Sequence, residues 1–443
     1  MSDVWVPPSS DENGVNKFCD SLDGEAEAAK KSIAKAWEEN IRQVRGDQWR
    51  IRRAPYFLAN ITKNQVRRKV ANLTETKPQY QVRSIKAELT KASAVLYNAS
   101  RSILDRNNSD DAFYRLGQFG MTLGCGFLAS PYDPVKDDVD LVFIDPRRVL
   151  IDPHITSAAD LDKAQYLRID TVMPLADIRV RFPGRGQFAK ADERSSSYID
   201  SPRGRMSIMA SIIQQMPRIY RPGTPQKAGP IPRAEVREYW LRDPQMGLDG
   251  QLMFPGGRHI VRAGKVILLD ENNPYWDGGW PIDMFEWDPD FDSPWGLDEV
   301  QDLRRLQESV NRMGDSWIRN ALLSSNFRII ADVDALDPDQ WDKLDDQPGL
   351  IIRKKPSRQL EYQPPVPDSG TMPQSIQLLL QLCDLLTGAN EASRSPAQGS
   401  AALEGLQSAR QTLTRSVARR LESVIERVGQ KLVSRVLQFY TSD

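Results

Sequence analysis

Residues 296–323 read GLDEVQDLRRLQESVNRMGDSWIRNALL. Leu297, Val300, Leu303, Leu306, Val310, Met313 and Trp317 recur at steps of three and four, the spacing that lines up side chains on one face of an α-helix. The pattern predicts a helix over 296–324, roughly 40 Å long. Two more helices follow it. Residues 372–387, around IQLLLQLCDLL, form a short apolar one, and 404–439 a long amphipathic one striped by Leu406, Leu413, Val417, Leu421, Val424, Val428, Leu432 and Val436. Between the first two, 325–371 breaks into short strands and turns. Between the last two, 388–403 (GANEASRSPAQGSAAL) carries almost no bulky side chain.

Working back toward the N-terminus, 1–24 reads as a flexible arm, with helical spacing setting in at Glu25 through Ile33, Trp37, Ile41 and Val44. Further helices are predicted over 60–74, 86–105, 110–120 and 175–182. From Phe127 to Leu150 the period shortens and is cut by Asp133-Pro134 and Asp145-Pro146, which marks short strands and turns. Gly124-Cys125-Gly126 reads as a tight turn, 184–232 as a long excursion, and 234–242 and 258–269 as strands separated by the Pro255-Gly256-Gly257 turn. No period of 20–50 residues repeats, so the chain is not a solenoid. The sum is an α+β protein of several structural units.

Bulk numbers narrow the function. The chain has 59 basic and 60 acidic side chains, a net charge of −1. Firm, sequence-independent grip on duplex DNA draws on a surplus of cations, and none exists here. Weak contact with DNA remains compatible with this balance. Three scattered cysteines, Cys19, Cys125 and Cys383, fit a reducing compartment better than a disulfide scaffold. The polar start MSDVWVPPSSDENG is no signal peptide, and no run of apolar residues suits a membrane span.

Catalytic chemistry is missing from the sequence. The nearest approach to a phosphate loop, Gly257…Gly264-Lys265, has the wrong spacing and puts Val266 where a hydroxyl residue is required. The two histidines, His154 and His259, read as ordinary surface or turn residues, and no nucleophile elbow accompanies them. Asp283, Asp288, Asp290 and Asp292 are hard oxygen donors, but their spacing matches no cation loop, and solvated turn carboxylates are the favoured reading. No catalytic residue, metal ligand or cofactor is expected.

What remains is a series of non-catalytic signatures in a particular order. Trp37 precedes Gly46-Asp47-Gln48-Trp49, then come Asn60 and the run from Val70 to Pro78. After these stand Gly124-x-Gly126, Asp133-Pro134, Ile144-Asp145-Pro146, Ile151-Asp152-Pro153, Phe182-Pro183 and Val236-Arg-Glu-Tyr-Trp240. Pro274-Tyr-Trp and Trp280-Pro281 precede the helix bearing Gln307 and Asn311, and Gly405-Leu-Gln-Ser408 closes the series. This order resembles the portal proteins of tailed bacteriophages over roughly residues 35–420.

The resemblance implies a wing over 25–295, stem helices over 296–324 and 372–387, a clip over 325–371 and a tunnel loop over 388–403. The long helix 404–443 would return to the wing, with the family's crown absent, very short or truncated. It implies a twelve-fold homo-oligomeric ring at one capsid vertex of the virion, assembled in the bacterial cytoplasm, through which double-stranded DNA is packaged and ejected. The expected partners are the large terminase subunit, the major capsid or scaffolding protein and adaptor or tail proteins, with no membrane. The DNA-facing candidates on the tunnel loop are Ser393, Arg394, Ser395, Gln398 and Ser400. The clip's basic cluster, Arg353, Lys354, Lys355 and Arg358, is either a contact for the motor or for DNA or a plain solvated turn. Arg410, Arg415, Arg419, Arg420 and Arg427 load the last helix with positive charge, which either subunit salt bridges or DNA would explain. Two other classes stay open. One is a non-enzymatic nucleic-acid-binding or other virion structural protein, and the other an enzyme of the packaging machinery.

Overall fold

Helix α1, Glu12–Arg45, starts well inside the stretch expected to be a flexible arm. Val15, Cys19 and Ala26, with Phe18 and Leu22 beside them, supply an apolar face that the polar N-terminal composition conceals. The computed structural model describes residues 12–48, 57–75, 80–83, 86, 88, 90–191, 231–243, 246, 251–325, 328–332, 357, 360–363, 371–387 and 400–440. Among these, helices and antiparallel sheets mix as an α+β fold, and no helix is long and apolar enough to cross a membrane. The chain divides into two compact units. One comprises 1–41, 66–300 and 399–443, the other 42–65 and 301–398.

The larger unit is built on a five-stranded meander. Its strands are β5 (Val149–Ile151), β6 (Tyr166–Pro174), β7 (Arg233–Leu241), β8 (Arg258–Ala263) and β9 (Val266–Asn272), in that order. The expected strand 258–269 is thus two strands. Gly264, at φ +62°, turns the chain back on itself, a conformation that glycine adopts without strain. Helix α1 covers one face, packing Val15, Cys19 and Ala26 on Leu150, Tyr166, Tyr239 and Ile260.

That face also holds a buried ion network. Arg237 and Arg262 stand directly opposite each other across β7 and β8, where like charges repel. Asp23 of α1 bridges them, at 3.1 Å from Arg237 and 2.7 Å from Arg262, and its other oxygen lies 2.6 Å from Arg168. The Tyr239 hydroxyl donates to the same carboxylate at 2.8 Å.

A three-stranded sheet stands beside it in the order β10 (Ile282–Glu286), β1 (Cys125–Ala129), β4 (Val142–Ile144). The Gly124-x-Gly126 segment is therefore not a free turn. Gly124 caps helix α4 (Ser109–Leu123) at φ +86°, and Cys125 and Gly126 already belong to β1. Helices α2 (Ile61–Thr74) and α3 (Thr90–Arg106) also appear close to their expected limits. A short helix α5 (Leu175–Arg181) covers part of the meander's second face through Leu175 and Ile178. On that face His259 lies half-buried, stacked on Trp240 at 4.0 Å, so it is no surface turn residue, whereas His154 is exposed beside Asp152.

The smaller unit carries helix α6 (Val300–Ser325), the strand pair β11 (Arg328–Ala331) and β12 (Leu360–Gln363), and helix α7 (Thr371–Thr387). The long last helix, α8, runs from Ser400 to Phe439 in the larger unit, four residues ahead of its expected start.

Candidate functional site: the anchored root of the long helix

Gln307 and Asn311 lie one turn apart on one face of α6, and both are almost wholly buried. Two primary amides there, without partners, would each cost on the order of 1–3 kcal/mol. They are fully engaged by the chain between α1 and α2, within the smaller unit. The Gln307 Oε1 accepts from the backbone N–H of Ile61 at 2.9 Å and of Thr62 at 3.2 Å. These amides open α2 and have no partner within their own helix, so a side chain of α6 caps a second helix. The Gln307 Nε2 donates to the Ala59 carbonyl at 2.6 Å and to Asn311 Oδ1 at 3.0 Å.

Asn311 continues the chain of bonds. Its Nδ2 donates to Gln48 Oε1 at 2.6 Å, and Gln48 Nε2 donates to the Gln43 carbonyl at 2.9 Å. Asn60 closes the circuit, donating to the Val44 carbonyl at 2.9 Å and accepting from the Lys63 N–H at 3.0 Å. Gly46 permits the approach. At φ +83° it turns the chain out of α1, and a Cβ there would stand 3.1 Å from Asn60 Nδ2. One turn beyond Asn311, a Cβ on Gly314 would fall 2.1 Å from the Phe57 ring. The helix surface is bare at that point because the ring occupies it.

These contacts involve amides and backbone, with no charge to titrate and no nucleophile. The arrangement can fix the direction in which α6 leaves its root, and it can do no chemistry. Farther along, Trp317 of α6 is 39% exposed, and on α7 Leu378 is 66% and Leu380 37% exposed.

In the larger unit, α8 spends part of its cations on β10. Trp287 N–H donates to the Gly124 carbonyl and Ser130 N–H to the Pro281 carbonyl, which sets the phase of the β1–β10 ladder and turns the Ile282 and Met284 carbonyls to the outer edge. Lys431 and Arg427, one helical turn apart, each donate to one of these at 2.9 Å, and Arg420 donates to the Trp287 carbonyl. Lys431 also reaches Asp283 at 2.9 Å. Asp283 is accordingly a buried strand residue and not a solvated turn carboxylate. Burial pushes its carboxyl up from the ordinary range, and Lys431 pulls it back. Arg415 and Arg419 are exposed on the same helix. Among the described residues no three metal-ligating side chains cluster.

Of the residues singled out from the sequence, the structure gathers Gln48, Asn60, Gln307 and Asn311 into one network. Gly257 and Gly264, the false phosphate loop, flank β8 at either end. Ser400 is the first residue of α8. Ser393, Arg394, Ser395 and Gln398, with Arg353, Lys354, Lys355 and Arg358, lie outside the described residues. The network itself was half-visible in sequence. Its side chains stood out by type and order, but their partners at Ala59, Ile61 and Thr62 are backbone atoms. The model of one protein family, that of phage P22-like portal proteins, matches residues 20–261, more than half of the chain. No curated protein matches it.

Proposed function

The chain belongs to the phage P22-like portal protein family, and from that membership we propose that its copies close into a ring around a channel for double-stranded DNA at one vertex of the capsid. Twelve copies is the number the resemblance implies. DNA enters through this channel during packaging and leaves through it at ejection. The ring docks first the large terminase subunit and later the adaptor or tail proteins, and it sits among the capsid or scaffolding subunits. Assembly takes place in the bacterial cytoplasm, and the role is structural.

One observation carries the reading. Leu378 and Leu380 remain exposed on α7, a helix whose apolar stretch calls for a partner, and neighbouring copies would supply it. Helices α6 and α7 take the part of the stem, β11 and β12 that of the clip, and 388–399 that of the loop at the narrowest point of the channel. Near-neutral net charge favours this role, since each fixed cation facing phosphate deepens salt-dependent binding. Weak contacts from Ser393, Ser395, Gln398 and Ser400, with Arg394 as the lone cation, would let DNA slide. Arg353, Lys354, Lys355 and Arg358 would face the motor or the emerging DNA.

Mass measurement of purified protein at micromolar concentration tests the ring. The expected result is a closed oligomer, and a monomer of 50.1 kDa at every salt concentration would refute it.

A further inference from the structure

Phe291 is 92% exposed, more than any other large apolar side chain among the described residues. Its loop is held firmly. The Leu297 N–H donates to the Asp288 carbonyl at 2.7 Å, and Arg420 grips Trp287 and Asp288. The Phe291 N–H donates to Asp290 at 2.8 Å. A loop held in this way has already given up backbone freedom that binding would otherwise remove. Asp290 and Asp292 flank Phe291, and neither has a cationic partner among the described residues.

The same unit carries a complement. Helix α5 and the turn after it expose Val180 (66%) and Phe188 (58%). This turn is fixed too. The Gly186 N–H donates to the Phe182 carbonyl at 2.7 Å, and a Cβ on Gly186 would lie 2.6 Å from the Ile178 carbonyl oxygen. Arg181 and Arg185 are occupied by Asp133 and Glu12. Arg179 and Lys190 are exposed and have no carboxylate partner among the described residues.

We infer that Phe291 of one copy seats against Val180 and Phe188 of the next, with Asp290 and Asp292 over Arg179 and Lys190. The knob and its seat are different patches on one chain, so the contact is head-to-tail. Such contacts propagate from copy to copy and close into rings, whereas a shared patch stops at a dimer. A second copy is the favoured occupant because both apolar halves and both signs of charge are present on this chain. The basic face of α3 competes less well, since it exposes one such side chain, Val95, and its Arg101 already pairs with Asp105. The inference rests on the ring reading and specifies one of its interfaces.

Full-length protein with Phe291→Cys and Phe188→Cys in the same chain, treated with a short thiol cross-linker, tests it. The native cysteines are buried and stay in place. The expected product is a ladder of linked multimers on a denaturing gel, with each single variant giving no ladder. Asp290→Lys with Asp292→Lys should raise the concentration for half-assembly at least tenfold, and adding Arg179→Glu with Lys190→Glu should restore it. Normal rings by mass without a ladder, or without response to charge reversal, would overturn this contact and leave the ring standing. A monomer under all conditions would overturn both. The melting temperature of the isolated charge variants, expected to be unchanged, separates lost assembly from lost folding.

Discussion

Gly124 and Gly296 meet backbone to backbone. A Cβ on Gly124 would stand 2.5 Å from the Gly296 carbonyl oxygen, and one on Gly296 would stand 2.7 Å from the Gly124 carbonyl oxygen. Both residues have positive φ, +86° and +66°. The contact joins the end of α4 to the segment leading into α6. Gly124→Ala and Gly296→Ala are each expected to lose about 1–3 kcal/mol from backbone strain alone, with steric overlap adding to it. Gly24→Ala, in the exposed middle of α1 with nothing within 4 Å, should instead gain roughly 0.5–1 kcal/mol. Urea unfolding of the three variants measures the contrast, and equal effects would refute it.

Asp23→Asn removes the charge that Arg168, Arg237 and Arg262 share. A broken buried ion pair leaves uncompensated charge, at about 3–5 kcal/mol. Asp20, 2.7 Å from Arg262, offsets part of this, so the lower end is expected. A drop under about 1 kcal/mol in the same assay would mean that solvent already screens the three guanidinium groups.

Gln307→Leu keeps bulk in the root of α6 and takes away the side-chain acceptor for Thr62 and one of two acceptors for Ile61, whose N–H also reaches the Ala59 carbonyl. The expected loss is on the order of 1–3 kcal/mol. Hydrogen exchange gives a local readout: the amide of Thr62 should lose protection selectively, and that of Ile61 less, since the Ala59 carbonyl still accepts from it. A cycle with Asn311→Leu should show coupling of about 0.5–3 kcal/mol, because the two amides bond to each other. Strict additivity would dissolve the network into separate contacts.

Two groups on one face of the meander titrate with opposite signs. Burial raises the Glu238 carboxyl to about 7 and lowers His259 to about 4. The folded chain therefore holds a proton on Glu238 that the unfolded chain releases, and stability from this group falls as pH rises from 4.5 to 7. His259 works the other way, since the unfolded chain takes up a proton that the folded chain refuses, so stability rises with pH from 4 to 6.5. The two slopes oppose each other in the native protein. Melting curves of Glu238→Gln should unmask a rise in stability over pH 4–6.5, and those of His259→Gln a fall over pH 4.5–7. Parallel profiles for both variants would contradict this assignment.

Deleting 392–399 tests the proposed loop at the channel's narrowest point. Ring assembly should persist, because α7 and α8 both remain whole, while packaging or retention of the genome falls. Full-length, stably held DNA in particles carrying the deletion would reduce the segment to a connector.

Periodicity exposed the helices well, and α6 begins within four residues of its expected start because its stripe is strong and Gly296 precedes it. Strand β10 escaped notice, since IDMFE places two carboxylates among apolar residues and both prove to lie inside. What neutralises Asp283 there is a pair of cations nearly 150 positions away on α8, a pairing that local pattern does not carry. The start of α1 was hidden for a related reason. Its carboxylates at Asp20 and Asp23 look like those of a solvated arm until the arginines of the meander are placed over them. The root of α6 was legible by residue type alone, as its hydrogen bonds end on peptide groups that every residue shares.

The clamp of α8 on β10 also sets a schedule. Ile282 leaves the ribosome nearly 150 residues before Lys431, a gap on the order of ten seconds at ordinary rates of synthesis. During that interval the outer margin of β10 lacks the side chains that later cap its Ile282 and Met284 carbonyls. The arrival of Lys431 and Arg427 withdraws that margin. In the folded chain this one edge therefore carries cations, a poorer template for a further strand than bare backbone.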